Sequence, residues 1–135
     1  MVEINKKKLR KYENCVCSSM RNISRDMTNY ANKELRAVGI KITQLEILVT
    51  LNKAGILKMF KLSSILRLER STLRRNLIIL YNRKFVKVVK DEDSANHLIS
   101  LSNTGLNKIL AALPIWEKIQ LINKVKLKNY VSNFK

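Results

Sequence analysis

Apolar residues recur at helical spacing along most of this chain, and the period changes once, between Lys84 and Ser102. There Phe85-Val86-Lys87-Val88-Val89 and His97-Leu98-Ile99-Ser100-Leu101 form β-branched, apolar-rich runs. The polar segment Lys90-Asp91-Glu92-Asp93-Ser94-Ala95-Asn96 separates them, which reads as a two-stranded hairpin with a polar tip. The fold class that follows is mainly α with one small β-hairpin.

The helical segments can be placed by their stripes and caps. Over residues 13–35, Val16, Met20, Ile23, Met27, Tyr30 and Glu34 step by three and four, and Gly39 supplies a stop signal. Thr43-Gln44-Leu45-Glu46 reads as a capping box, predicting a helix from Thr43 with Leu45, Leu48 and Leu51 buried and an end at Ala54-Gly55. A short helix without a good N-cap follows around Leu62, Ile65 and Leu66. After a break at Arg67-Leu68-Glu69, residues 71–84 form another, capped by Ser71. Its Leu73, Leu77 and Leu80 face inward while Arg70, Arg74 and Arg75 stay outside. Ser102 caps a long helix through Leu106, Ile109, Leu110 and Leu113. Pro114 bends or interrupts it, Trp116, Ile119 and Ile122 continue it, and a basic amphipathic stretch runs to Lys135.

With 135 residues and 46% hydrophobic content, the chain is expected to be one compact unit with its own core. Lys+Arg 27 against Asp+Glu 10 gives +17, a field that favours a polyanionic partner, either nucleic acid or an anionic membrane surface. Two cysteines, Cys15 and Cys17, are too few for a disulfide framework and fit a reducing, intracellular setting. No stretch has signal-peptide or membrane-span length, so the expected location is the cytoplasm, with no membrane partner. One histidine, His97, and ten scattered carboxylates offer no metal spacing, no phosphate loop and no nucleophile–base pair. Neither an enzyme nor a cofactor is indicated.

The charge is concentrated. From Lys58 to Lys90 there are ten basic residues, Lys58, Lys61, Arg67, Arg70, Arg74, Arg75, Arg83, Lys84, Lys87 and Lys90, against the single acid Glu69, a net of +9. Two short helices, the second bearing outward arginines, followed at once by a hairpin make a winged helix-turn-helix. A helix fits the major groove of duplex DNA, where an arginine can bond a guanine edge bidentately and hydroxyls or amides can take phosphates or bases. Arg70, Ser71, Thr72, Arg74, Arg75 and Asn76 are the candidate contacts on the helix, with Lys87 and Lys90 holding the backbone from the hairpin.

Four segments together resemble one family, the MarR (multiple antibiotic resistance regulator) winged-helix transcriptional regulators. They are Gly39-Ile40-Lys41-Ile42-Thr43-Gln44-Leu45, then Leu68-Glu69-Arg70-Ser71-Thr72-Leu73-Arg74-Arg75-Asn76-Leu77, then Ile99-Ser100-Leu101-Ser102-Asn103-Thr104-Gly105, and Ala112-Leu113-Pro114-Ile115-Trp116. The resemblance spans about residues 15–120. It implies a DNA-binding winged helix over about 43–101 and long dimerisation helices over about 13–38 and 102–135. It further implies a homodimer, usually a repressor, on a pseudo-palindromic operator, with release by a small phenolic ligand or by cysteine oxidation in many members. The hairpin tip departs from the family: a minor-groove arginine is usual there, whereas Asp91, Glu92 and Asp93 would repel phosphates.

Cys15 and Cys17, two residues apart on one predicted helix, should point apart, so packing is their expected role and redox sensing the sharper alternative. The competing functions are a sequence-indifferent nucleoid-type DNA binder with the same fold and a membrane-surface or protein-binding module using the basic termini.

Overall fold

The computed structural model describes residues 5–90 and 97–134. The order is α1 (Lys6–Tyr12), α2 (Val16–Leu35), a 3-10 turn (Arg36–Val38), α3 (Ile42–Ala54), β1 (Leu57–Lys58), α4 (Met59–Leu66), α5 (Arg70–Asn82), β2 (Val86–Lys90), β3 (His97–Leu101) and α6 (Asn103–Ser132). The hairpin is present in the register Val86↔Leu101 to Lys90↔His97, but it is not alone. Leu57 and Lys58 pair antiparallel with Ile99 and Leu98, giving a three-stranded sheet in the order β1-β3-β2. Two residues are too few to display alternation, so β1 carries no periodic signal.

The core is where the stripes of α3, α5 and the sheet converge. Leu45, Leu48 and Leu51 of α3 pack with Leu62 of α4, Leu73, Leu77 and Leu80 of α5, and Phe85, Val86 and Ile99 of the sheet region. Ile109, Ala112 and Ile119 of α6 and Ala31 and Leu35 of α2 extend it. In the apolar stretch of α4, Leu62 and Leu66 reach the core while Ile65 is exposed. The stripe on α2 also divides: Ile23 is buried, whereas Val16 and Met20 are half or more exposed and leave an apolar surface at the N-terminal end.

Several boundaries correct the sequence expectation. An additional helix, α1, precedes α2, which starts at Val16 and not at residue 13. Helix α3 begins at Ile42, one residue early, and Thr43 does not cap it. The Gln44 side chain accepts the Lys41 N–H at 3.1 Å and Asn32 of α2 accepts the Ile42 N–H at 2.8 Å, so the cap is assembled partly from another helix. Helix α5 begins at Arg70 with Glu69 before it, placing Ser71 inside the first turn and not at the cap. Pro114 does not interrupt α6, which runs unbroken for 30 residues; Leu110, four residues upstream, is exposed, so water can take the carbonyl the proline leaves free.

Ser102 does cap α6. Its Oγ accepts the Gly105 N–H at 3.0 Å and donates to the Lys84 carbonyl at 2.6 Å, while its own N–H donates to the Phe85 carbonyl at 3.1 Å. A Cβ on Gly105 would lie 2.1 Å from the Phe85 carbonyl oxygen and 2.7 Å from Leu101 Cδ1. Gly105 therefore lets α6 start against the base of the hairpin. In an open helix Gly→Ala gains up to about 1 kcal/mol. Here Gly105→Ala is expected to destabilise the fold by about 2 kcal/mol or more, since backbone must move to admit a methyl. A urea denaturation midpoint at or above that of the parent chain would show that this contact does not constrain the junction.

Candidate nucleic-acid interface

Helix α5 is presented by the turn that precedes it. Arg67 closes α4 in the left-handed conformation at φ 52°, and Ser63 fastens the turn from both sides. The Ser63 carbonyl accepts the Leu68 N–H at 3.2 Å, and its hydroxyl donates to the Leu68 carbonyl at 2.7 Å. With Leu73, Leu77 and Leu80 locked in the core behind it, α5 has one buried face and one free face.

On that free face Arg70, Ser71, Arg74 and Arg75 are exposed, and Thr72 and Asn76 are partly buried. Arg75 Nε donates to the Ser71 carbonyl at 3.4 Å, and the residue is exposed. Asn76 folds back, its Nδ2 donating to the Thr72 carbonyl at 2.9 Å. The Arg70 guanidinium sits over the Phe60 ring, 5.8 Å from its centre, so Arg70 bridges α4 and α5. Ile78, half exposed one turn beyond Arg74 and Arg75, adds an apolar group to the same side. It is not among the contacts expected from the sequence, although its absence from the Leu73, Leu77, Leu80 stripe signals an outward position.

Between the end of α5 and the sheet runs an open groove of about 600 Å³ lined by Tyr81, Asn82, Lys84, Val86, Lys87, Val88 and Ser102. Lys87 thus shares a surface with α5, whereas Lys90 stands farther along β2, paired with His97. The acidic segment from Asp91 to Asn96 lies outside the described residues. Arg83, counted among the basic residues of this surface, serves the fold instead. Its Nη1 donates to the Gly39 carbonyl and its guanidinium stacks on Phe85 at 4.6 Å.

A second candidate region lies at the other side of the core. A cavity of about 290 Å³ between α2, α3 and α6 is lined by residues including Met20, Met27, Glu46, Trp116, Gln120 and Asn123. Asn123 Nδ2 lies 3.4 Å from the Met27 carbonyl, while its Oδ1 is buried without a partner among the described residues. Burial pushes the Glu46 carboxyl above the usual carboxylate range.

The cysteines depart from the expected arrangement. Cys15 is the residue before α2 and not part of it, with φ −62° and ψ 118°, and Cys17 is in the first turn. The Cys15 thiol is held below its ordinary range by groups of the first turn of α2. The largest cause is the Ser18 backbone N–H. Partial burial opposes it, and the Cys17 backbone, the Arg21 charge and the Cys17 thiol add to it.

No known family profile matches the sequence, and no curated protein matches it. Solved structures do match. The Mycobacterium tuberculosis transcriptional regulator MosR, crystallised with DNA, superposes with a TM-score of 0.75 at 24% identity, covering 88% of this chain and 92% of its own. Bordetella bronchiseptica BpsR, solved in work on regulation of its DNA binding by 6-hydroxynicotinic acid, gives 0.74 at 16% identity, covering 81% and 78%. AbsC, a MarR family transcriptional regulator from Streptomyces coelicolor, gives 0.70 at 17% identity, covering 94% and 84%. Among the described residues no helix is long and apolar enough to cross a membrane.

Two measurements probe the titrating groups. Because the folded state disfavours the charged Glu46 carboxylate, its cost is absent at low pH and appears as pH rises through the raised pKa. Glu46→Gln should therefore raise the melting temperature at pH 7 and leave it unchanged near pH 3; equal effects at both would exclude desolvation as the cause. In a Cys17→Ser chain, which keeps the larger causes, the rate of iodoacetamide alkylation at Cys15 should rise at lower pH than that of free cysteine, and coincident profiles would refute the assignment.

The order and pairing of α2 with α6, the helix pair α4–α5 and the β1-β3-β2 sheet give this chain the fold of the MarR-family transcriptional regulators.

Proposed function

We propose that this protein is a sequence-specific DNA-binding transcriptional regulator, acting as a homodimeric repressor that sets α5 into the major groove of a pseudo-palindromic operator. One observation carries the reading: Arg74 and Arg75 stand exposed near the start of a helix whose opposite face is fixed in the core. A rigid helix offering two guanidinium groups suits bidentate reading of guanine edges. Ser71 and Lys87 then take phosphates, Arg70 adds charge from its place on Phe60, Thr72 and Asn76 border the contact, and Lys90 follows the backbone along the wing. The likeness to MosR in complex with DNA supports this role.

The homodimer reading is supported by the apolar groups left exposed where α2 begins and α6 ends, Val16, Met20, Leu121, Val125, Leu127 and Val131. A surface of this kind suits a second copy of the chain better than solvent. The effector belongs to the same proposal. The cavity beside Trp116 has room for a small phenolic ligand, and Cys15 with Cys17 forms the alternative, redox-responsive input. The likeness to BpsR, whose DNA binding is regulated by 6-hydroxynicotinic acid, favours the small-molecule route.

Selection of bound fragments from the source genome at near-physiological salt tests the proposal. The parent chain should enrich an inverted repeat, and Arg74→Ala with Arg75→Ala should lose it. A bidentate contact is worth about 1–3 kcal/mol of discrimination, so the pair should cost roughly 100-fold or more in preference for the selected site. Fragments sharing no motif, or the same set recovered by the double variant, would overturn it.

A further inference from the structure

Ile78 is an apolar residue in a place that stability does not explain. It is 50% exposed on α5 and takes no part in the core behind it, which Leu73, Leu77 and Leu80 supply. Helix propensity does not account for it either, since a β-branched side chain loses χ1 freedom in a helix that alanine or a straight-chain polar residue would keep.

Spacing sets its position on the helix. Residues three, four and seven apart share a face. Ile78 follows Ser71 by seven, Arg74 by four and Arg75 by three, and all three of those are exposed. At 3.6 residues per turn it falls between the two arginines around the axis, one turn further on. Ile79, 44% exposed, is placed differently: it follows Thr72 by seven and Asn76 by three, on a flank where both are partly buried. Arg70 leans away on the other flank, over the Phe60 ring of α4. Ile78 is thus the apolar group centred on the face that carries Arg74 and Arg75.

The axial rise gives the scale of what it can meet. Four residues advance about 6 Å along a helix, close to two base-pair steps of ~3.4 Å. The side chain then selects the base. A sec-butyl group has neither donor nor acceptor, so pressed on the major-groove edge of guanine, adenine or cytosine it would strip water from a polar group and give no bond in return. Thymine is the base that presents a carbon group on that edge, its C5-methyl.

We propose that Ile78 is a specificity-determining residue that packs on a thymine C5-methyl, about two base pairs from a guanine met by Arg74 or Arg75. The inference rests on the reading of α5 as the operator-reading helix and extends it, because one position of the site is chosen by apolar contact and by exclusion of bases that need a partner. The charged contacts supply the rest.

The test exchanges thymine for uracil, which removes the C5-methyl and keeps every hydrogen-bonding group of the base. Each thymine of a duplex enriched by the parent chain is replaced singly by deoxyuridine, and affinity is measured by fluorescence anisotropy at fixed salt. An exchange within about two pairs of a required guanine should weaken binding by the parent chain about fourfold, the worth of one buried methyl. Ile78→Ala should bind that thymine duplex and its uracil counterpart equally. It should still enrich the guanines, which Arg74→Ala with Arg75→Ala does not. The alanine chain should melt at or above the parent temperature, because Ile78 lies outside the core and alanine is the better helix former. A motif with no thymine at that distance, uracil exchange without effect, or an Ile78→Ala chain that keeps the parent's preference for thymine over uracil overturns the proposal and leaves guanine reading by α5 standing. Fragments sharing no motif at all overturn both.

Discussion

The ring of Phe85 is the point on which the remaining geometry depends. It is buried at the base of the wing and lies between two cations, Arg83 at 4.6 Å and Lys108 at 5.5 Å. Each of those cations also bonds a carbonyl just beyond the end of α2: Arg83 takes Gly39, and Lys108 takes Val38 at 2.7 Å. The backbone of Phe85 is committed as well, its N–H to Leu80 of α5 and its carbonyl to Ser102 at the start of α6. One residue thereby joins α5, the wing, α6 and the end of α2. Charges at this junction meet helix-end carbonyls that would otherwise need water, which is why two cations are held there without a carboxylate.

Where the sequence is readable, a single residue type suffices to announce the structure. Leu73, Leu77 and Leu80 mark the buried face of α5, Ser102 caps α6, and Gly39 ends the α2 region at φ 66°. Two other helix ends are harder to see because they use the same left-handed closure without glycine. Arg67 after α4 and Lys84 after α5 adopt φ 52° and 63°, at roughly 1 kcal/mol each relative to an unstrained backbone. In both cases the following N–H reaches back five residues, Leu68 to Ser63 and Phe85 to Leu80, as it does at Gly39, where Ile40 reaches Leu35. A basic residue in that position looks like surface charge until the turn is seen.

Long-range partners account for what is not legible. The cap of α3 comes from Asn32, ten residues away, so the nearby Thr43 looks like the better candidate. Strand β1 exists because β3 presents an edge to it. The site shows the same division. The outward position of Arg74 and Arg75 follows from helical period alone, whereas the inward turn of Asn76 and the stacking of Arg70 on Phe60 depend on side-chain geometry that no spacing encodes. The place of Cys15 outside α2 has no signal in the spacing either, because the helix starts at Val16.

The unbroken course of α6 has a mechanical consequence. At 30 residues it is a rod of about 45 Å, pinned at one end where Gly105 meets the Phe85 carbonyl and lying along the 290 Å³ cavity for part of its length. Rods amplify angle: a tilt of about 5° about the pinned end carries the far end some ~4 Å. The converse holds for a push applied near Trp116, which acts close to mid-length and is delivered to the pinned end as torque. That end meets Phe85, whose N–H bonds Leu80 of α5 and whose carbonyl accepts the Ser102 N–H at the base of the wing. The cavity and the junction at Phe85 therefore lie along one continuous helix, from which Pro114 removes a single N–H without breaking it.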